Sequence, residues 1–273
     1  MPLLNRITGL EGVAQGASPR VKMQCDRRYH GLKFFFTLAG VATDPTSLCE
    51  RVRLFVNGKT VRDVPASYLI MIAKLNGITP KPGELPIFFS EPARADKIDE
   101  VWTAWPMQDE TSFEVELVLK QLTGDDAAKA VGVIGLQSFD YGRLTVDGKE
   151  VRRIITQKVI SKNAAAGQND FDNIPIKNPI QRVHLISSKT INSVEVTADS
   201  TKVYETTAAI NDSVLNDYGL VTQAGAFPVL FDHRERIDDA LPVAADLNIK
   251  FDLAEAATVF ALVEAGASSF GAV

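Results

Sequence analysis

Apolar and polar residues alternate in short runs along most of this chain, and the alternation points to strands. Residues 113–119 place Phe113, Val115, Leu117 and Leu119 on one side and Glu114 and Glu116 on the other, the period-two pattern of a half-buried strand. Residues 247–253 repeat it, with Leu247, Ile249, Phe251 and Leu253 facing in and Asn248, Lys250 and Asp252 facing out. Residues 21–25 and 32–38 also read as strands, and Phe34, Phe35 and Phe36 in succession predict that the second is covered on both faces. Residues 41–49, with Asp44-Pro45, read as a loop. Residues 52–56 end at Asn57-Gly58, the favoured pair for a two-residue hairpin turn because both positions need positive φ, and residues 60–62 return as a short strand. A helix follows, with Asp63 as its expected cap, Pro65 in its first turn, Asn76-Gly77 at its end, and Leu69, Ile72 and Ala73 on one side. Residues 87–89, 131–136, 182–187 and 259–263 complete the strand set. Residues 143–146 and 150–160 flank Asp147-Gly148 as a hairpin, while 91–109 and 161–173 read as long loops.

One stretch of this pattern occurs twice. Residues 52–90 align without a gap with residues 194–232, residue 52 meeting 194 and every later pair keeping that spacing of 142. Gly77 meets Gly219, Gly83 meets Gly225 and Pro86 meets Pro228. The second helix is expected to start at Thr206 or Thr207, to turn Ile210, Val214, Leu215 and Tyr218 toward a sheet, and to stop at Gly219. A repeat at half the chain length indicates two copies of one domain, since solenoid periods run to roughly 20–50 residues. Many short strands with regular turn signals mean a sandwich or barrel, and eight strands in two sheets make a jelly roll. The expected fold is therefore all-β: two fused eight-stranded jelly rolls, each with a short helix. The expected division is an N-terminal arm over 1–18, a first jelly roll over 19–142 and a second over 143–273. Leu3, Leu4, Ile7 and Leu10 in the arm suggest a segment that docks on a neighbour or stays mobile.

Composition narrows the class. The net charge of −5 lacks the concentrated Lys and Arg that phosphate contacts require, so no direct nucleic-acid partner is expected. The one basic cluster, Arg152-Arg153 with Lys149 and Lys158, reads as a solvated strand face. Cys25 and Cys49 have no metal-ligand spacing and read as free thiols of a reducing compartment. Neither a secretory signal nor a run of about 20 apolar residues is present in the sequence.

No catalytic constellation emerges. His30, His184 and His233 are far apart, and His184 in its apolar strand is best read as a hydrogen-bonded structural residue. Asn57-Gly58-Lys59-Thr60 resembles the end of a phosphate loop but lacks the upstream glycine. Glu114 and Glu116 share a strand face as glycosidase carboxylates can, yet Asn248 and Lys250 replace them in the second copy, so a charged exterior is the plainer reading. Asp125-Asp126 and Asp238-Asp239 are loop acids of the kind that take a structural divalent cation such as calcium, without the spacing of a calcium loop. Trp102 and Trp105 suit either a sugar-stacking platform or, preferably, a subunit interface. The sequence thus assigns no catalytic residue, no cofactor and no metal ligand, and the chain is not expected to be an enzyme.

The repeated strand–hairpin–helix unit, carried best by VRLFVNGKTV with its helix to Gly77, by VEVTADSTKVYE through NDYG, and by LNIKFDLAEAATVFALVEAG, resembles the double jelly-roll major capsid proteins of icosahedral viruses with an internal membrane. The likeness is to the compact capsid proteins of corticovirus-type marine bacteriophages, and it covers residues from about Val21 to Ala265. The resemblance implies a homotrimer whose six similar barrels form a pseudo-hexagonal capsomer. It further implies contacts with neighbouring capsomers, penton and minor virion proteins, and a viral membrane beneath the shell, after assembly in the host cytoplasm. A tandem jelly-roll protein that binds carbohydrate or a receptor is the alternative.

Overall fold

The computed structural model describes residues 2–92, 101–143, 145–146, 149–150, 153–172, 174, 176, 178–232, 240–243 and 245–270. The chain divides into two compact units. The first is Met1–Lys74, Ile78–Ile154 and Ser268–Val273, and the second is Leu75–Gly77 and Ile155–Ala267.

The first unit contains β1 (Leu3–Ile7), β2 (Arg20–Met23), β3 (Arg28–Leu38), β4 (Val41–Ala42), α1 (Pro45–Leu48), β5 (Cys49–Val56), β6 (Lys59–Pro65), α2 (Ala66–Leu75), β7 (Glu84–Phe88), β8 (Trp105–Pro106), β9 (Phe113–Leu119) and β10 (Val131–Asp140). One sheet runs β1-β10-β3-β7 and the other β6-β5-β9-β2, with β4 and β8 short additions to β3. A small hairpin of β11 (Thr145–Val146) and β12 (Lys149–Glu150) follows. The second unit contains β13 (Ile154–Ala164), β14 (Gly167–Phe171), β15 (Ile180–Ser187), β16 (Ile191–Ala198), β17 (Thr201–Thr207), α3 (Ala208–Asp217), β18 (Ala226–Leu230), β19 (Leu247–Leu253) and β20 (Ala257–Ala267). Its strands run β18-β15-β20-β13 and β14-β19-β16-β17. In both units the chain weaves between two four-stranded sheets, which is the jelly-roll arrangement. The protein is a double jelly roll, as the alternation and turn spacing predicted.

The duplication holds element by element. β5, β6, α2 and β7 recur as β16, β17, α3 and β18, every boundary keeping the spacing of 142 between residues 52 and 194. Both hairpins use two positive-φ residues, Asn57 (51°) and Gly58 (76°) in one, Asp199 (48°) and Ser200 (63°) in the other. Each turn is fastened alike. Asn57 Oδ1 accepts from the amides of Thr111 (2.8 Å) and Ser112 (3.2 Å), and Asp199 Oδ1 from those of Ala245 (2.7 Å) and Asp246 (3.1 Å). Gly83 and Gly225 share φ values of 79° and 78°, and a Cβ there would lie 2.7 Å from the Phe36 carbonyl oxygen and 2.8 Å from that of Ser187. Only glycine satisfies both the conformation and the approach.

β9 and β19 carry the predicted inward residues, Phe113, Val115, Leu117 and Leu119 in one and Leu247, Ile249, Phe251 and Leu253 in the other, all buried. Several expectations are corrected. Leu3–Ile7 is not a detached arm: it pairs antiparallel with β10 and supplies the first strand of the first jelly roll, so that unit begins at its first paired residues. Its single buried residue, Ile7, gives a strand too little apolar signal to be read. Asp63 does not cap α2. It lies in β6, where its Oδ1 accepts from Arg51 Nε at 2.7 Å, and the helix begins after Pro65. Asp44 caps α1 inside the expected loop, its Oδ1 accepting from the Thr46 amide. Phe34 and Phe36 face inward as strand alternation requires, and Phe35 is half-buried on the opposite face. The stretch expected as a loop over 161–173 instead holds the end of β13, a turn at Gly167 (φ 92°) braced by the Asn169 side chain, and β14.

The largest correction concerns α3. Its buried residues are Asn211 and Leu215, whereas Ile210 (58% exposed), Val214 (43%) and Tyr218 (40%) face outward. Asn211 fixes this rotation. Its Nδ2 donates to the Pro228 carbonyl at 2.8 Å, and the Tyr204 hydroxyl donates to its Oδ1. A buried polar anchor is invisible to a hydrophobic pattern, so the sequence places the helix correctly and turns it wrongly.

Candidate functional site

The residues that bear chemistry in this sequence are held as scaffold. Glu114 and Glu116 lie on the outer side of β9, and Glu116 is clamped between two guanidinium groups, at 2.6 Å from Arg20 Nη2 and 2.9 Å from Arg53 Nη1. Burial opposes ionisation of Glu116, but the bonds from Arg20 and Arg53 win and hold its carboxyl below the usual carboxylate range. A glycosidase acid needs the opposite shift, so Glu116, held by two guanidinium groups, does not suit that role. At the equivalent place in the second unit the pair returns with its signs exchanged. Arg53 stands opposite Glu116 across β5 and β9, and Glu195 stands opposite Lys250 (3.3 Å) across β16 and β19.

His30 Nε2 lies 2.8 Å from Asp140 Oδ2, which Arg28 Nη2 also engages at 2.7 Å, so this histidine braces β3 against β10. His184 is fully buried in β15, and its Nε2 lies 3.4 Å from Glu264 Oε2 on β20. Gln157 Nε2 donates to Glu264 Oε1 at 2.7 Å, and Arg182 clasps Asp232 at 3.0 Å. His184 is therefore the structural histidine the sequence suggests. Its partners went unread, although a glutamate in the apolar strand VEAG was a signal that a buried partner must exist.

Trp105 is neither a sugar platform nor a subunit anchor. It is wholly buried, stacked on Phe89 at 4.3 Å, with Phe270 edge-on at 5.0 Å and the Arg62 guanidinium 4.8 Å from its ring centre. Trp102 is half-buried. Cys25 and Cys49 are both free, and burial pushes the Cys49 thiol up to about 12. Asp125 and Asp126 sit in a 3-10 turn, where Asp126 takes Lys129 Nζ at 2.6 Å. Asn57-Gly58-Lys59-Thr60 joins two strands and opens no helix, so it cradles no phosphate. His233, Asp238, Asp239 and Arg152, at the heart of the basic cluster, lie outside the described residues. Among the described residues no three His, Cys, Asp or Glu side chains are grouped to hold a metal ion, and no helix is long and apolar enough to cross a membrane.

Beside α3 lies an open pocket of about 280 Å³, bordered by Lys189, Asp212, Gln223 and Phe227 among others. Its lysine is engaged with Glu255 at 2.6 Å, and its lining holds no carboxylate pair and no histidine. Among the described residues, exposed large apolar side chains include Ile210, Val214 and Val221 on the second unit and Leu3, Leu4, Val41 and Ile134 on the first.

Two jelly rolls in tandem are the architecture of double jelly-roll capsid proteins. The chain belongs to the viral coat protein P2 family, whose N-terminal domain matches residues 4–135 and whose C-terminal domain matches residues 151–267. The major capsid protein P2 of bacteriophage PM2 shares the fold at a TM-score of 0.85 and 16% identity, over 98% of both chains. The STIV major capsid protein superposes at 0.69 with 12% identity, over 99% of this chain and 98% of that one. The PBCV-1 virus capsid structure does so at 0.66 with 9% identity, over 97% and 93%. No curated protein sequence matches significantly. The chain is a viral coat protein, a structural component of the virion capsid.

Proposed function

We propose that three copies of this chain associate into one capsomer whose six similar jelly rolls give a pseudo-hexagonal outline, and that such capsomers tile a shell over a viral membrane. The observation that carries this reading is the internal duplication: β5, β6, α2 and β7 recur 142 residues later as β16, β17, α3 and β18. Two like barrels per chain make a threefold ring nearly sixfold, which is the outline that packs a surface without gaps. Closure of such a ring requires contacts between unlike patches of neighbouring copies. Penton and minor virion proteins would fill the vertices that a near-sixfold block cannot. Negative-stain electron microscopy of the purified chain tests the reading: end-on views should be hexagonal with threefold modulation. Isolated two-lobed particles, or rings of another order, would overturn it.

A further inference from the structure

The two jelly rolls differ most where they should be alike, and the differences come in a complementary pair. On α3, Ile210 and Val214 are 58% and 43% exposed, with Val221 (53%) continuing the apolar strip. The counterparts of Ile210 and Val214 at the spacing of 142 are Tyr68, which is half-buried, and Ile72, which is 9% exposed, while that of Val221 is Thr79, itself exposed. The same side of the same helix is thus covered in one barrel and open in the other. The reverse holds for the outer face of the sheet that contains the long third strand. Through the repeat, in which β7 matches β18, the strand registers put Phe35 and Ile134 level with Ile186 and Phe260, and Lys33 and Leu136 level with His184 and Leu262. His184 and Leu262 are fully buried, whereas Lys33 is exposed and Leu136 half-buried, and Ile134 is 47% exposed where Phe260 is half-buried. By strand parity Leu4 of β1, 69% exposed, and the half-buried Leu136 share that outer face with Ile134. Each barrel therefore presents open one of the two faces that its sister has covered.

We infer that the α3 strip of one copy docks on the outer face of β1, β10 and β3 of the next copy, and that this head-to-tail contact is the one that closes the capsomer ring. The occupant is a second copy of this chain because the positions that are open on one barrel are positions already seen covered on the other. The charges agree with that pairing. Asp217 borders the α3 strip, while Arg6 and Lys33 stand on the sheet face, Lys33 engaged with Glu84 at 2.6 Å. A contact between two unlike patches is heterologous, and repeated by a threefold rotation it closes without leaving a free end. The inference rests on the trimeric reading above and names the surfaces that would make it.

Val214→Glu and Ile134→Glu, each placing a charge in one patch, test it on the full chain by size-exclusion chromatography with light scattering at micromolar concentration. Ile210→Asp and Leu4→Asp form a second pair at still more exposed positions. Ala209→Glu, exposed on another side of α3, is the control, and melting curves establish that each variant is folded. The wild type and the control should be trimers and the patch variants folded monomers. A mixture of Val214→Glu with Ile134→Glu retains one intact patch of each kind and should give a 1:1 dimer that cannot close. A monomeric wild type would overturn the trimer and this contact together. Patch variants that remain trimeric, or a mixture that stays monomeric, would overturn the contact and leave the trimer standing.

Discussion

Trp105→Ala separates a core residue from an interface residue. The indole is fully buried within the first unit, against Phe89, Phe113 (5.8 Å) and Phe270, with Arg62 over its face. Truncating a buried aromatic to alanine removes its transfer free energy and leaves a cavity that neighbours only partly fill, together about 3–5 kcal/mol. For a unit of this size each kcal/mol lowers the melting temperature by about 2–4 °C, so the expected fall is roughly 6–20 °C. Trp105→Phe should fall between, because the indole Nε1 has no acceptor among the described residues and only ring size is lost. Circular dichroism melts of wild type, both Trp105 variants and Trp102→Ala at one protein concentration supply the comparison, since assembly itself raises apparent stability. Trp102, half-buried, should cost less than Trp105. If Trp105→Ala lost less than about 1 kcal/mol of stability while weakening assembly, the residue would be an interface anchor and the packing described here would be wrong.

Glycine replacements probe the duplication. Gly58→Ala, in open space at φ 76°, should cost about 1–2 kcal/mol from conformation alone, whereas Gly83→Ala and Gly225→Ala add a collision with a carbonyl oxygen and should each cost more, by similar amounts; unequal losses at those two in urea unfolding would deny their equivalence. Acid should expose Glu264. Burial alone would raise its pKa, but the bond and charge of His184, the charge of Arg182 and the Gln157 bond hold it at about 2. A depressed carboxylate stabilises the fold above the ordinary value of about 4.3 and loses that contribution as pH falls toward 2, so wild-type stability should drop more steeply below about pH 5 than that of Glu264→Gln. Parallel slopes for the two proteins would remove Glu264 from the acid response.

Local rules were legible in the sequence wherever a pattern and its burial coincide. Phe113–Leu119 and Leu247–Leu253 read as strands from alternation alone, and Asn57-Gly58 announced its turn. Asp199-Ser200 takes the same left-handed turn without a glycine and was found only through the repeat. Where polar residues are buried, pattern reading failed. Asn211 rotates α3 away from its most apolar side, and Asp63 serves Arg51 instead of the helix that follows. β1 was not legible because an edge strand with one buried residue needs no apolar alternation, and its partner β10 is more than a hundred residues away. The polar loop around Trp105 suggested a sugar platform or a subunit interface and gave no hint of the aromatic cluster that buries it. The candidate interface was legible least of all. It depends on which of two equivalent faces is covered, a property of the folded pair that neither repeat reveals alone.

The most direct test of a capsid subunit built as a ring of duplicated barrels is the mass of the purified full chain in solution. Light scattering at micromolar concentration should give three times the 29.7 kDa chain mass, with no monomer peak. A stable 29.7 kDa monomer under those conditions would contradict it.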